Sequence, residues 1–201
     1  MGTIDFYFDF LSPYSYLAHC RLPDLAGRYG YELAYRPIDL NAAKLAAGNT
    51  GPATAQMPKK LCYAVADLAR WAERYNVPLA FAKVPPVTER ANKGTFFALE
   101  RGQARAYVET LWCATFGSGG EFNSDEVLSG VAGQLGWSAA EFLEFVESAA
   151  AGRLYEESNR QAQERGVFGA PTMMVGDEMW WGNDRLDFLE DYLAAHPAGR
   201  G

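Results

Sequence analysis

The stretch that decides the fold is FYFDFLSPYS, residues 6–15. An aromatic run of strand type breaks at Ser12, and a helical pattern begins directly after it. This order predicts that Ser12 lies at the N-terminus of a helix, where free backbone N–H groups and the helix dipole favour an anion. The serine could act only as the N-cap of that helix, or its hydroxyl could donate a hydrogen bond to a bound anion.

A strand–helix–strand unit is predicted at the start of the chain. Residues 3–10 and 31–36 have strand patterns, and residues 14–29 have the pattern of one helix. Such a unit favours a parallel pair of strands. Helical patterns then fill most of the chain as far as residue 165, among them one long helix at residues 94–115 and another at residues 138–150.

Strand signals return in a hairpin at residues 172–181, and a final helix follows. This order predicts an α/β fold, a thioredoxin-like βαβ…ββα sheet split by an all-helical insertion domain. We expect residues 1–40 and 155–201 to form the thioredoxin-like domain. Residues 41–154 are expected to form the insertion, as a lid over a substrate pocket.

The composition argues against several classes of partner. The chain has 201 residues, 49% of them hydrophobic, and a formal net charge of -7. This acidic balance argues against nucleic acid and against a polybasic membrane patch. The sequence shows neither a signal-peptide pattern nor an apolar run of about 20 residues, so a cytoplasmic protein is expected. The tail from His196 to Gly201 is expected to fray.

The cysteines predict neither a disulfide nor a metal site. Cys20, Cys62 and Cys113 are far apart, and they form no CxxC pair and no metal-ligand spacing. We expect them to be reduced thiols buried in the core, because free cysteine behaves as a small hydrophobic residue.

Thioredoxin-like redox proteins carry Cys-Pro-x-Cys at the start of the first helix, and this chain has serine at both cysteine positions, Ser12 and Ser15. A thiolate at this site must therefore come from another molecule, and the Ser12 hydroxyl could stabilise it. Hydrolase-type serine catalysis is not expected, because the chain has no GxSxG motif and only His19 and His196 as candidate bases.

Two later segments are expected to complete the site. In the thioredoxin fold the strand before the hairpin begins at a cis-proline, which predicts a cis bond between Ala170 and Pro171. The run WGND, residues 181–184, could be only a turn with a helix cap. Alternatively, its amides and the Asp184 carboxylate could hold the carboxylate and the ammonium of an amino-acid head group, such as the γ-glutamyl end of glutathione. Lys44 is a weaker candidate that could equally be a solvated lysine.

Together these segments resemble the 2-hydroxychromene-2-carboxylate isomerases, which are relatives of the kappa-class glutathione transferases and of the DsbA-type oxidoreductases. The resemblance covers essentially the whole chain. It is carried mainly by residues 6–18, 167–173 and 176–186.

The resemblance implies a glutathione-dependent isomerase, and a homodimer, that converts 2-hydroxychromene-2-carboxylate to trans-o-hydroxybenzylidenepyruvate in naphthalene catabolism. It implies that Ser12 stabilises the glutathione thiolate and that Ala170 pairs with the cysteinyl backbone. The γ-glutamyl group would be held by Trp181, Gly182, Asn183 and Asp184, and the anionic substrate by Lys44, Thr54 and Ala55. Thr54 and Ala55 stand where the family pattern has polar residues, which leaves the ring substrate open. The alternative is a kappa-like transferase that conjugates small electrophiles.

Overall fold

The computed structural model describes residues 2–198 and contains a four-stranded mixed sheet with the strand order β2-β1-β3-β4. Strand β1 (Gly2–Phe8) is parallel to β2 (Tyr31–Pro37) and antiparallel to β3 (Thr172–Val175). Strand β3 forms a hairpin with β4 (Glu178–Trp181). The predicted parallel pair, the hairpin and the fold class are confirmed.

Helices cover the sheet and fill the long connection between β2 and β3. They are α1 (Pro13–His19), α2 (Leu22–Arg28), α3 (Leu40–Ala46), α4 (Pro58–Tyr75), α5 (Glu89–Glu100), α6 (Ala104–Ala114), α7 (Asp125–Gln134), α8 (Ala139–Glu147), α9 (Ala149–Glu164) and α10 (Leu186–Ala195), with 3-10 turns at Thr54–Gln56 and Asn183–Arg185. Between residues 2 and 198, none of these helices has both the length and the apolar character that crossing a bilayer requires.

Three helices predicted as continuous are each interrupted. The predicted helix at 14–29 is two helices, because Pro23 lies in the first turn of α2, where a proline begins a helix but cannot continue one. The predicted helix at 94–115 breaks at Gly102, whose φ is 65°. The predicted helix at 138–150 ends before Ser148, whose side chain instead caps α9 by accepting a hydrogen bond from the Ala151 amide.

The larger of the two hydrophobic clusters among residues 2–198 runs through the sheet and the helical connection. Phe8 at the end of β1 and Phe10 just after it contact Trp112 of α6 edge-on, with ring centroids 5.5 and 5.0 Å apart. Helix α9 begins before residue 155 and packs against β2. The division into residues 1–40 with 155–201 and residues 41–154 stays a prediction, and the proposed boundary at 155 falls inside a helix.

The prediction of three buried thiols is wrong for Cys62 and Cys113, which are exposed, whereas Cys20 is partly buried. The reason for Cys62 is that α4 buries only Leu68 and Ala72, so this cysteine faces away from the core. Burial raises the pKa of the Cys20 thiol to about 11, which makes it unreactive at neutral pH.

The prediction of a frayed tail is wrong for residues 196–198. The Tyr31 hydroxyl donates a hydrogen bond to the His196 carbonyl at 2.7 Å, and the Ala198 amide donates one to the Tyr29 carbonyl at 2.9 Å. These bonds attach the end of the chain to the start of β2. Residues 199–201 lie outside the described residues.

The packing of the helical region can be tested by a substitution at Gly94. A Cβ atom there would overlap the Tyr107 hydroxyl and lie 2.7 Å from Phe142, inside the core. We expect Gly94→Ala to lower the free energy of unfolding by about 1–3 kcal/mol, measured by denaturant unfolding. The control is Gly130→Ala in α7, where the new Cβ meets no atom within 4 Å and should raise the stability by about 0.5–1 kcal/mol. Equal effects of the two substitutions would contradict this packing.

Candidate functional site

Ser12 is the N-cap of α1 and is 3% exposed. Its Oγ atom accepts a hydrogen bond from the Ser15 amide at 3.2 Å and donates one to the Ala170 carbonyl at 3.1 Å. The same hydroxyl of Ser12 therefore caps α1 and contacts the segment around Ala170 that was expected to complete the site. The single hydroxyl proton points at the loop that precedes β3, across 158 residues of sequence.

The bond between Ala170 and Pro171 is cis, as predicted. The Pro171 carbonyl accepts a hydrogen bond from the Gly182 amide at 2.9 Å, and Thr172 pairs with Trp181 in the hairpin. The hairpin thus brings the WGND segment beside the cis-proline. The structure places Ser12, Ala170 and this segment at one end of the sheet.

Within that segment, Gly182 has a φ of 104°, a conformation that favours glycine, and a Cβ atom on it would lie 2.5 Å from an Asp184 oxygen. Asp184 is exposed and its carboxylate pairs with Arg185 at 2.7 Å. Asn183 is 3% exposed, and its Nδ2 atom has no hydrogen-bond partner among the described residues. The segment therefore presents one surface carboxylate above a glycine backbone, while its asparagine faces inward.

An aromatic pair borders the site. The rings of Phe168 and Trp181 meet edge-on with centroids 5.1 Å apart, and the Trp181 side chain remains half exposed. Gly169 permits this arrangement, because a Cβ there would lie 2.5 Å from the indole nitrogen. Phe168 was not predicted to belong to the site, although it directly precedes the Gly-Ala-Pro segment.

A contact that was not predicted from the sequence joins α1 to α4. The Tyr14 hydroxyl donates a hydrogen bond to Asp67 at 3.0 Å. Burial, and then the Asp67 carboxylate, raise the pKa of Tyr14 well above its ordinary value, so the phenol stays protonated. This hydrogen bond attaches α4 to Tyr14 in the first turn of α1, two residues after Ser12.

Lys44 is half-buried on α3. Burial, followed by the charge of Lys60, lowers the pKa of Lys44, and the carboxylate of Asp9 opposes this effect. Thr54 and Ala55 lie in the 3-10 turn that leads into α4. Their role as substrate contacts stays a prediction, as does that of Lys44.

Neither histidine can serve Ser12 as a base. His19 is 3% exposed, and its Nε2 atom is hydrogen-bonded to the Tyr35 hydroxyl at 2.9 Å. Burial lowers the pKa of His19 to about 3. His196 lies at the end of the chain against Tyr192. The expectation that Ser12 is not a hydrolase-type nucleophile therefore agrees with the geometry.

Comparison with known proteins places this chain in a family. The family model described as the DSBA-like thioredoxin domain matches residues 3–194. The 2-hydroxychromene-2-carboxylate isomerase of Sphingobium xenophagum is 47% identical over 191 residues, which is 95% of this chain and 97% of that protein. A partial match, 36% identical over 80 residues, covers 39% of this chain and 34% of glutathione S-transferase kappa 1 of Caenorhabditis elegans.

Among solved structures, a 2-hydroxychromene-2-carboxylate isomerase superimposes with a TM-score of 0.91 at 44% sequence identity. The match covers 96% of this chain and 95% of that chain. The fold and the sequence of this chain therefore both match 2-hydroxychromene-2-carboxylate isomerases along nearly the full length of each protein. The chain belongs to the DSBA-like thioredoxin family and, within it, to the family of 2-hydroxychromene-2-carboxylate isomerases.

Proposed function

We propose that this isomerase binds glutathione at Ser12 and uses the glutathione thiolate to convert 2-hydroxychromene-2-carboxylate to trans-o-hydroxybenzylidenepyruvate. The observation that carries the proposal is the hydrogen bond from the Ser12 hydroxyl to the Ala170 carbonyl. It joins the hydroxyl at the first of the two redox-cysteine positions, Ser12, to the backbone group that could bind an extended peptide thiol.

Glutathione binding would exchange the partners of this bond. The Ser12 proton would turn from the Ala170 carbonyl to the thiolate, and the freed carbonyl would accept the cysteinyl N–H of glutathione. One hydrogen bond is lost and two are formed, one of them charge-assisted. The thiol would thus be bound and its pKa lowered in a single step.

The γ-glutamyl end would lie over the WGND segment. The exposed Asp184 carboxylate could pair with the ammonium of the γ-glutamyl group. This requires the ion pair between Asp184 and Arg185 to break, which costs little free energy because that pair is exposed to water. The positive φ of residue 182 favours glycine, so the backbone carries no side chain at this point. Asn183 is buried, so any contribution from it would be to shape this turn.

The chemistry is covalent catalysis with a borrowed nucleophile. The cyclic hemiketal first opens to a conjugated keto acid with a cis double bond. When bound at Ser12, glutathione would supply a thiolate that could add reversibly to that double bond, with the electron pair held at the carbonyl as an enolate, so that the bond could rotate before the thiolate leaves and the trans double bond is restored. Lys44 could stabilise the anionic substrate and the enolate.

The test is to follow the ultraviolet spectrum of 2-hydroxychromene-2-carboxylate with the protein, with and without glutathione. Glutathione-dependent approach to an equilibrium with the trans product, with no net consumption of glutathione, supports the proposal. The alternative, a kappa-like transferase that conjugates small electrophiles, predicts a stable glutathione adduct and stoichiometric loss of the thiol. An adduct that accumulates would therefore overturn the isomerisation.

Lys44→Gln should raise the KM for the carboxylate substrate about tenfold, because it removes a partly desolvated cation from an anion site. In the wild type, binding of the substrate should weaken as the pH rises through the lowered pKa of Lys44, and the variant should lose this dependence. Steady-state kinetics across alkaline pH measure both effects. The control is Lys59→Gln, an exposed lysine at the start of α4; equal changes in the two variants would remove Lys44 from the site.

Three further features are part of the proposal and rest on the resemblance and on the sequence. They are the place of the reaction in naphthalene catabolism, the cytoplasmic location and the homodimeric state. Size-exclusion chromatography with light scattering tests the last of them, and a monomer at working concentration would contradict it.

A further inference from the structure

A buried carboxylate lies at the turn that leads into Ser12. Asp9 is 2% exposed, and no basic side chain forms an ion pair with it among residues 2–198. Its Oδ1 atom accepts hydrogen bonds from the Leu11 amide at 2.9 Å and from the side chains of Thr88 and Asn92 at 2.8 Å each. Its Oδ2 atom accepts one from the Leu40 amide at 2.9 Å. Four neutral donors thus converge on one carboxylate; burial raises its pKa, and these hydrogen bonds oppose that effect.

These donors belong to three different parts of the fold. Leu11 lies in the turn before Ser12, and the Ser12 amide also donates to the Asp9 carbonyl at 2.9 Å. Leu40 is the first residue of α3, the helix that carries Lys44. Thr88 precedes α5, and Asn92 lies in its first turns. A single side chain therefore connects the thiolate site, the lysine helix and the helical region.

Only a carboxylate can fill this position. An asparagine at this position would have one oxygen and one N–H₂ group in place of the two carboxylate oxygens. The N–H₂ group, which is itself a donor, would face either the Leu40 amide or the three donors that now bind Oδ1. A cavity of about 240 Å³, lined by Asp9, Thr88 and Tyr155 among others, borders the junction. The hydrogen bonds to Asp9 therefore act together with the buried apolar contacts in setting the relative positions of the elements here.

We propose that Asp9 is a positioning residue, which holds the Ser12 turn and the Lys44 helix at the separation that lets a glutathione thiolate meet a carboxylate substrate. The inference rests on the proposed function. Asp9 itself does not contact the thiol in this scheme. The groups that would bind the rest of glutathione, Ala170 and the WGND segment, lie on other elements and share no hydrogen bond with Asp9 among the described residues.

The test compares Asp9→Asn with Asp39→Asn. Asp39 caps the same helix α3, and its Oδ1 atom accepts from the Asn41 and Ala42 amides, so the asparagine keeps the cap and removes only the charge. Asp9→Asn should lower kcat at saturating glutathione by about tenfold or more, and leave the Kd of glutathione within about threefold of the wild type. Asp39→Asn should leave both values within about twofold. Equal kcat values for the two variants would overturn the inference, as would a parallel loss of kcat and of glutathione affinity in Asp9→Asn.

A readout that does not depend on turnover is the pH titration of the thiolate absorption of bound glutathione. A displaced Ser12 raises the pKa of the bound thiol in Asp9→Asn, whereas a purely electrostatic role of Asp9 lowers that pKa by removing a negative charge. An unchanged or lowered pKa of the bound thiol therefore contradicts a positioning role.

Thr88→Val is the second variant, for the case that Asp9→Asn fails to fold. It removes one donor to Asp9 and keeps the charge, so its kcat should fall about threefold, and an unchanged kcat would overturn the inference. Absence of glutathione binding and turnover in the wild type would instead refute the proposed function.

Discussion

Ser12→Ala is expected to lower the kcat of glutathione-dependent isomerisation by about 10- to 100-fold. The variant removes the hydroxyl that would donate a charge-assisted hydrogen bond to the thiolate, and such a bond is worth about 1.5–3 kcal/mol. The Kd of glutathione should change much less, because in the apo protein this hydroxyl already has a partner in the Ala170 carbonyl. Steady-state kinetics with calorimetric titration of glutathione measure the two effects separately.

Ser15→Ala is the matched control for this prediction. Ser15 lies one turn further along α1 and is fully buried, and its Oγ atom has no hydrogen-bond partner among residues 2–198. Its loss should leave kcat within about twofold of the wild type and should not reduce stability. If the two alanine variants lost activity equally, the hydroxyl of Ser12 would have no special role, and the effect would belong to the start of the helix as a whole.

Asp184→Asn is expected to raise the Kd of glutathione about tenfold, because it removes the carboxylate proposed to pair with the γ-glutamyl ammonium. N-acetylglutathione, which lacks that ammonium, should bind the wild type about tenfold more weakly than glutathione does. It should bind the variant no more weakly than it binds the wild type. Calorimetric titration of both thiols into both proteins completes the cycle.

Asp187→Asn is the control for Asp184, since Asp187 is an exposed acid in the first turn of α10 with the same formal charge. Its effect on the Kd should stay within about twofold. Full additivity between acetylation of the ligand and Asp184→Asn would contradict a direct ion pair, and would place the γ-glutamyl group elsewhere.

The parts of the fold that were predictable have local signals. The break from an aromatic strand into a serine cap, the proline before β3 and the Gly176 turn each determine the backbone within a few residues. The contact between Ser12 and Ala170 was predictable only through the thioredoxin-like fold, in which the cis-proline packs against the first helix, and the strand order of the sheet agrees with that fold.

The remaining features depend on tertiary packing. The apolar pattern of residues 94–115 continues across Gly102, so the break between α5 and α6 was not visible in periodicity. Cys62 was predicted to be buried because free cysteine behaves as a small hydrophobic residue, yet the structure buries only a small part of α4. Asp67 and Asp9 were missed as partners because Asp67 bonds to Tyr14 across 53 residues and Asp9 bonds to Leu40 across 31 residues. The available signal was an acidic residue, Asp9, inside an aromatic run.

The proposed role of Ser12 is tested most directly by a pH titration of the thiolate absorption of glutathione bound to the wild type and to Ser12→Ala. We expect the thiol bound to the wild type to titrate about one pKa unit or more below free glutathione, and the serine variant to lose most of this shift. A bound thiol that titrates at the same pH as free glutathione, or one whose shift survives in Ser12→Ala, would contradict that role.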